Sequence, residues 1–161
     1  DGRSLGYEKL LIATGAGPRR LALPGAEHAL YLRTFADALA LRSRLATGAR
    51  LVVIGGGFIG LEVTASAIER GASVTLVEAL PRLLSRGVPE KIAQRVRARH
   101  ARAGVTFHIG IGVERIEAAP ELAVILADGT RVPCDAVIAG IGAMPAALFD
   151  PAKWAAVKVS Q

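Results

Sequence analysis

The chain has 161 residues, enough for one domain with a real core, and no apolar run approaches the roughly 18 to 20 residues that cross a bilayer, so no membrane is expected as a partner. Apolar residues make up 52% and aromatics only 4%, which excludes a disordered chain and points to an α/β core of Ala, Val, Leu and Ile. The formal net charge is +6, with the basic residues dispersed and densest in RVRARHAR, 95–102; this reads either as a solvated helix face or as a surface for an acidic protein, and with no RNA-binding aromatic motif beside it no nucleic acid is expected.

The chain opens on Asp1 rather than Met, without a basic-then-apolar leader, and reads as a piece of a longer protein with the cytoplasm as default location. Asp1-Gly2 reads as a turn and KLLIA, 9–13, as a short buried strand bounded by Gly15; residues 15–29, rich in Gly, Pro and Ala, read as a connector. LYLRT, 30–34, is a short strand. Thr34 and Asp37 have the spacing of a capping box that opens a helix over 35–47, ahead of Gly48.

Strand and helix then alternate: a strand over 50–55, a helix over 58–70 stopped by Gly71, and a strand over 73–78. A further helix covers 88–103, with Val88, Ile92 and Val96 along one face, and Gly104 ends it before a strand over 105–109. This order predicts a Rossmann-like parallel sheet with right-handed crossovers and helices on both faces. Three short extended pieces, GVERIEA, ELAVILA and TRVPCD, separated by Pro120 and by Asp128-Gly129, predict a small antiparallel β-meander. DAVIAGIG, 135–142, returns to the parallel sheet. The single Cys134 excludes an internal disulfide and a CxxC pair, and reads as a small, partly buried strand residue. His28, His100 and His108 are scattered without metal-ligand spacing, so no metal site is expected, and no residue stands out as a general acid, base or nucleophile.

The chemistry concentrates in LVVIGGGFIGLEVTAS, 51–66. Gly55, Gly57 and Gly60 have the spacing GxGxxG between a predicted strand and a predicted helix. Gly55 permits the tight turn, Gly57 lets a pyrophosphate approach the backbone, and Gly60 lets the helix pack on the strand, so that the amides near Phe58 and Ile59 face the phosphates. Glu78 closes the second strand 18 residues after Gly60, near the separation of about 20 expected for the acid that binds an adenosine ribose. A carboxylate there favours NAD over NADP, whose 2′-phosphate it repels; Arg82 and Arg86 lie close enough in sequence to soften that preference. Glu62, on the first turns of the same helix, reads either as an exposed helix acid or as a carboxylate at the cofactor end of the sheet.

Five stretches, YEKLLIATGAGPRRLALPGA, YLRTFADALALRSRL, LVVIGGGFIGLEVTASA, VTLVEALPRLL and DAVIAGIGAMP, follow one another in an order that resembles the middle of an FAD-dependent pyridine-nucleotide oxidoreductase, of the ferredoxin and rubredoxin reductase type. The resemblance covers residues 1–145. It implies an FAD domain interrupted by an inserted NAD domain, with 1–29 as the tail end of the FAD domain plus a linker, 30–145 as the NAD(H)-binding domain, and 146–161 as a segment outside the family pattern. It carries the pyrophosphate contacts onto Gly55, Gly57, Phe58, Ile59 and Gly60, the ribose contact onto Glu78, and an acid near the nicotinamide onto Glu62. Gly140, Ile141 and Gly142 match the loop along the nicotinamide half. Thr14 and Gly15, in the motif IATG, match a segment near FAD. The implied function is to position NADH for hydride transfer to FAD in an enzyme whose partner is an acidic ferredoxin or rubredoxin. The FAD fingerprint and the later Gly-Asp motif are missing from these residues, so the chain alone is expected to bind FAD poorly and to be inactive. A non-catalytic NAD-binding module is the alternative. An FAD-holding turn is a third, against which the position after IATG argues.

Overall fold

The computed structural model describes residues 6–9, 11 and 13–146. They fall into two compact units: residues up to Gly17 together with those from Ala143 on, and Pro18–Gly142. In the first, β1 (Ala16–Pro18) pairs with β10 (Ala143–Pro145) in a two-stranded sheet. Of the strand expected over 9–13, Leu10 and Ile12 lie outside the described residues; Lys9, Leu11 and Ala13 are exposed and belong to no strand. The expected turn at Asp1-Gly2 and the segment 147–161 also lie outside the described residues.

The second unit is built on a five-stranded parallel sheet with the order β2 (Ala29–Leu30), β9 (Ala136–Ala139), β3 (Arg50–Ile54), β4 (Ser73–Glu78), β5 (Thr106–Ile109). The inner strands are apolar runs buried on both sides, as a covered parallel sheet requires. Alternation along them divides the core. Leu51 and Val53 of β3 join Leu41 and Leu45, Leu61 and Val63, and Ala93, which come from α1 (Phe35–Arg44) and its C-cap, α2 (Phe58–Glu69) and α3 (Glu90–Arg102). Val52 and Ile54 face the other way, against Ile116, Val124 and Leu126 of the antiparallel meander β6 (Val113–Glu117), β7 (Ala123–Leu126), β8 (Arg131–Pro133). The α/β class with a parallel sheet and a meander therefore holds, but the layers run helices, sheet, meander. Helices were expected on both faces; the meander's own buried face takes that place.

Local chemistry explains most element boundaries. The Thr34 hydroxyl accepts from the Asp37 N–H (3.1 Å) while the Asp37 carboxylate accepts from the N–H groups of Thr34 (2.8 Å) and Arg33 (3.0 Å). This box turns the chain into α1 at once, so the strand expected over 30–34 is confined to Ala29–Leu30. The first helix ends at Arg44 rather than residue 47, and Gly48, at φ +79°, lies in the following turn. Pro89, with extended backbone, delays α3 to Glu90. Of the expected inner face, Val88 and Val96 pack on the core, but Ile92 is 48% exposed, and Ala93 and His100 make the contact in its place. Residues 18–29 are no free connector: Leu21 and Leu23 pack on the core beneath the meander, the Ile116 N–H donates to Pro24 O (2.9 Å), and Ala26–His28 form a short 3-10 turn.

Candidate functional site

The strands β3, β4 and β9 end side by side, at Ile54, Glu78 and Ala139, and each runs into a loop at the same edge of the sheet. From β3 the chain proceeds outward through β4 to β5, while β9 lies on its other side. The glycine turn thus sits where the strand order reverses, the place where parallel α/β sheets bind ligands.

The glycines of the turn do different work. A Cβ on Gly55, whose φ is +107°, would lie 2.5 Å from Gly140 O. One on Gly60 would strike Gly55 O, and one on Gly140 would lie 3.1 Å from Gly60 N. These three let the β3 turn, the β9 loop and α2 close on one another. Gly57 is different. Its backbone (φ −82°, ψ −174°) suits any residue, and a Cβ there would come no nearer than 3.9 Å to another atom. The fold does not need a glycine at 57; the space above it is open, as it must be if an anion is to approach the backbone.

That space is the floor of a cleft of about 530 Å³. One wall is the start of α2. Leu61 makes the first helical bond, to Gly57 O (3.0 Å), and no side chain caps the helix, so the amides of Phe58, Ile59 and Gly60 stand at its positive end. Phe58, 63% exposed, and Ile59 line the opening. Gly140, Ile141 and Gly142 supply a second wall, Ile111, Gly112 and Val113 a third, and the loop after β4 a fourth, with Glu78, Leu80, Leu84, Ser85 and Arg86; Arg19 also reaches the rim.

Glu78 is held rather than free. Its Oε2 accepts the Gly56 N–H at 2.6 Å and its Oε1 the Leu80 N–H at 2.7 Å. The Gly56 carbonyl accepts from the Leu84 N–H (2.9 Å), and the buried Leu83 side chain fills the position a Gly56 Cβ would need. GxGxxG leaves Gly56 as an unspecified position; the signal for its role is that the middle residue of the GGG run is also glycine. Arg82 and Arg86 separate here: Arg86 lines the cleft, whereas the half-buried Arg82 guanidinium is turned onto backbone carbonyls of its own loop.

The other sequence candidates lie elsewhere. Glu62 is exposed and lines a separate hollow between α1 and α2, with Leu41, Arg42, Ser66 and Arg70, not the cleft. Thr14 and Gly15 belong to the first unit, just ahead of β1. His100 ties two helices, its Nδ1 2.9 Å from Val96 O and its Nε2 3.2 Å from Leu61 O. Among the described residues no group of three or more His, Cys, Asp or Glu is placed to hold a metal ion, and no helix is long and apolar enough to cross a membrane. Cys134 follows β8, its N–H bonded to Leu122 O (2.9 Å); it is fully rather than partly buried, and burial pushes its thiol up to about 11.

Comparison with known proteins places this geometry in a family. A family model described as pyridine nucleotide-disulphide oxidoreductase matches residues 1–159. The chain belongs to this family. The match includes residues 146–159, beyond the 1–145 over which the resemblance is read from sequence motifs. Over 147 residues the chain is 46% identical to the ferredoxin–NAD(+) reductase component of the p-cumate 2,3-dioxygenase system of Pseudomonas putida, covering 90% of this chain and 36% of that protein. A rubredoxin–NAD(+) reductase of the same organism is 42% identical over 149 residues, with 90% and 39% covered. Among solved structures, a covalent putidaredoxin reductase–putidaredoxin complex superposes with a TM-score of 0.84 at 40% identity, covering 99% of this chain and 40% of that one. A water-forming NADH oxidase from Lactobacillus brevis, bound to NADH, gives 0.78 at 26% identity, with 88% and 32% covered. The chain spans a little over a third of the length of the curated relatives it matches.

Proposed function

We propose that residues 30–145 form the NAD(H)-binding domain of a flavin-dependent NADH:ferredoxin or NADH:rubredoxin reductase. In this reading 1–29 are the tail of its FAD domain with a linker, and 146–161 are a segment of unassigned role. The observation that carries the proposal is the open space over Gly57, between the uncapped start of α2 and the carboxylate of Glu78. A glycine that the fold does not require, at the point where the helix amides converge, fits a pyrophosphate. Glu78, already oriented by Gly56 and Leu80, presents its remaining lone pairs to ribose hydroxyls. Gly140, Ile141 and Gly142 flank the nicotinamide half, and Thr14 and Gly15 lie towards the flavin of the whole enzyme.

When bound here, NADH would supply a hydride for the FAD of the whole enzyme, whose electrons would pass singly to an acidic ferredoxin or rubredoxin. This chain's residues contribute orientation: amides for the phosphates, an anchored carboxylate for the ribose, an apolar wall for the rings. Among the described residues, none is assigned the role of general acid, base or nucleophile in this reading. The described lining residues of the cleft come from one compact unit, which also suits a non-catalytic NAD-binding module. Titration of the chain with NADH and with FAD tests the proposal. Binding of NADH without retained flavin is expected; an isoalloxazine seated over Gly57 in a soaked crystal would contradict it. NADH oxidation with an electron acceptor, in the chain joined to the remainder of the protein, separates the enzyme from the module.

A further inference from the structure

We infer that Arg82 is a positioning residue for the nucleotide, holding the loop after β4 in the shape that clamps the glycine turn. The inference rests on the NAD(H) reading of the cleft. The Arg82 guanidinium is half-buried, and none of its described partners is a carboxylate. Instead it donates to four backbone carbonyls of its own loop: Leu83 (3.2 Å), Leu84 (3.3 Å) and Val88 (3.1 Å) from one terminal nitrogen, and Ser85 (3.3 Å) from the other. The Ser85 hydroxyl closes the ring by donating to Arg82 O (2.6 Å). Four carbonyls turned onto one point repel each other unless a cation stands there. Two terminal nitrogens on a planar fork reach them together, which a single ammonium nitrogen cannot do.

This ring holds the one non-glycine residue with positive φ among the described residues, Leu84 at +52°, a conformation that L residues seldom adopt. In that conformation the Leu84 N–H reaches Gly56 O (2.9 Å) and the Leu83 side chain lies against the Gly56 Cα. The Gly56 N–H is bonded to Glu78 (2.6 Å). Arg82 thus acts on the cleft through a short chain of contacts: its guanidinium sets Leu83 and Leu84, these set Gly56, and Gly56 sets the Glu78 carboxylate. Leu84 and Ser85 themselves line the cleft, on the side where Glu78 would hold the adenosine ribose. Freed from its carbonyls, the loop would lose the shape that presents these groups, while the sheet beneath stays packed.

The test is the 161-residue chain with Arg82→Ala and Arg82→Lys, titrated with NADH and with 5′-AMP, which carries only the adenosine half. Arg82→Ala is expected to weaken both ligands by about tenfold, the size of losing hydrogen bonds to a charged group, and Arg82→Lys by about threefold. Guanidinium chloride at low millimolar concentration is expected to restore Arg82→Ala towards the parent affinity, and urea at the same concentration is not. Exchange of the Leu84 amide is expected to quicken in Arg82→Ala while amides of β3 and β4 keep their protection. Should Arg82→Ala fail to fold, Arg82→Lys carries the same comparison. Variant affinities within about twofold of the parent overturn the inference, as does a loss that guanidinium fails to repair. A parent chain that binds neither ligand overturns the NAD(H) reading and this inference with it; a parent that binds both, beside a variant that binds equally well, overturns the inference alone.

Discussion

The backbone N–H of Gly56 donates to Oε2 of Glu78 at 2.6 Å, linking the middle of the glycine turn to the acid at the end of the neighbouring strand. The bond joins two features that the fingerprint treats as separate ligand contacts. The carboxylate is oriented before any nucleotide arrives, and the turn is held by the same group that would read the ribose. Glu78→Ala should therefore act twice. It removes a ribose acceptor and leaves the N–H groups of Gly56 and Leu80 without their partner. NADH affinity should fall by about tenfold, and the preference for NADH over NADPH should shrink because the repulsion of a 2′-phosphate is gone. Parallel titrations with both nucleotides measure this; unchanged affinities for both would show that Glu78 does not contact the ribose.

Thr64 is fully buried in α2, and its hydroxyl has no hydrogen-bond partner among the described residues. An unsatisfied hydroxyl in an apolar layer costs free energy that a methyl of similar shape avoids. Thr64→Val should leave nucleotide affinity unchanged and raise stability by about 1 kcal/mol, read as a higher denaturation midpoint. A clear loss of stability would mean that the hydroxyl has a partner in solution.

Stability should fall in acid. Asp135 and Glu121 are both held below the usual carboxylate range, chiefly by hydrogen bonds from Arg50; Asp37 is held low by Thr34 and Asp128 by Thr130. Their folded-state values are depressed, so they stabilise the fold above their unfolded values and lose that contribution as pH drops below about 4. The Arg50 side chain is 45% exposed, so solvent keeps each pair weak. Arg50→Gln should lower stability slightly near pH 7 and leave it almost unchanged in strong acid, so the acid limb of the stability–pH curve flattens. An acid limb as steep as the parent's would place the responsible carboxylates elsewhere.

Much of the fold was legible because its signals are local. The capping box needs only Thr34 and Asp37, and Gly71 and Gly104 stop their helices at positive φ within a few residues of the helix ends. The strand over 73–78 and the meander follow from apolar runs and turn residues. What was not legible depends on distant partners. The two residues of β2 are a strand only because β9 lies beside them, and His100 faces inward because Leu61 offers it a carbonyl from another helix. The same holds at the site. GxGxxG and Glu78 could be read from spacing, and they do meet in one cleft. The spacing could not say that Glu62 faces a different hollow, which depends on α1 packing beside α2, or that Arg82 turns away from the cleft while Arg86 lines it, which depends on how the loop after β4 folds over Gly56.

If the cleft over Gly57 holds the pyrophosphate of NAD(H), Gly57→Ala and Gly60→Ala should differ sharply in thermal melting and in NADH titration. A Cβ at 57 meets no atom closer than 3.9 Å, whereas one at 60 collides with Gly55 O. Gly57→Ala should melt like the parent yet lose NADH binding by about a hundredfold, because the methyl occupies the phosphate's place. Gly60→Ala should lose about 1 to 3 kcal/mol of stability through overpacking. A Gly57→Ala chain that binds NADH as tightly as the parent would show that the pyrophosphate does not sit over Gly57.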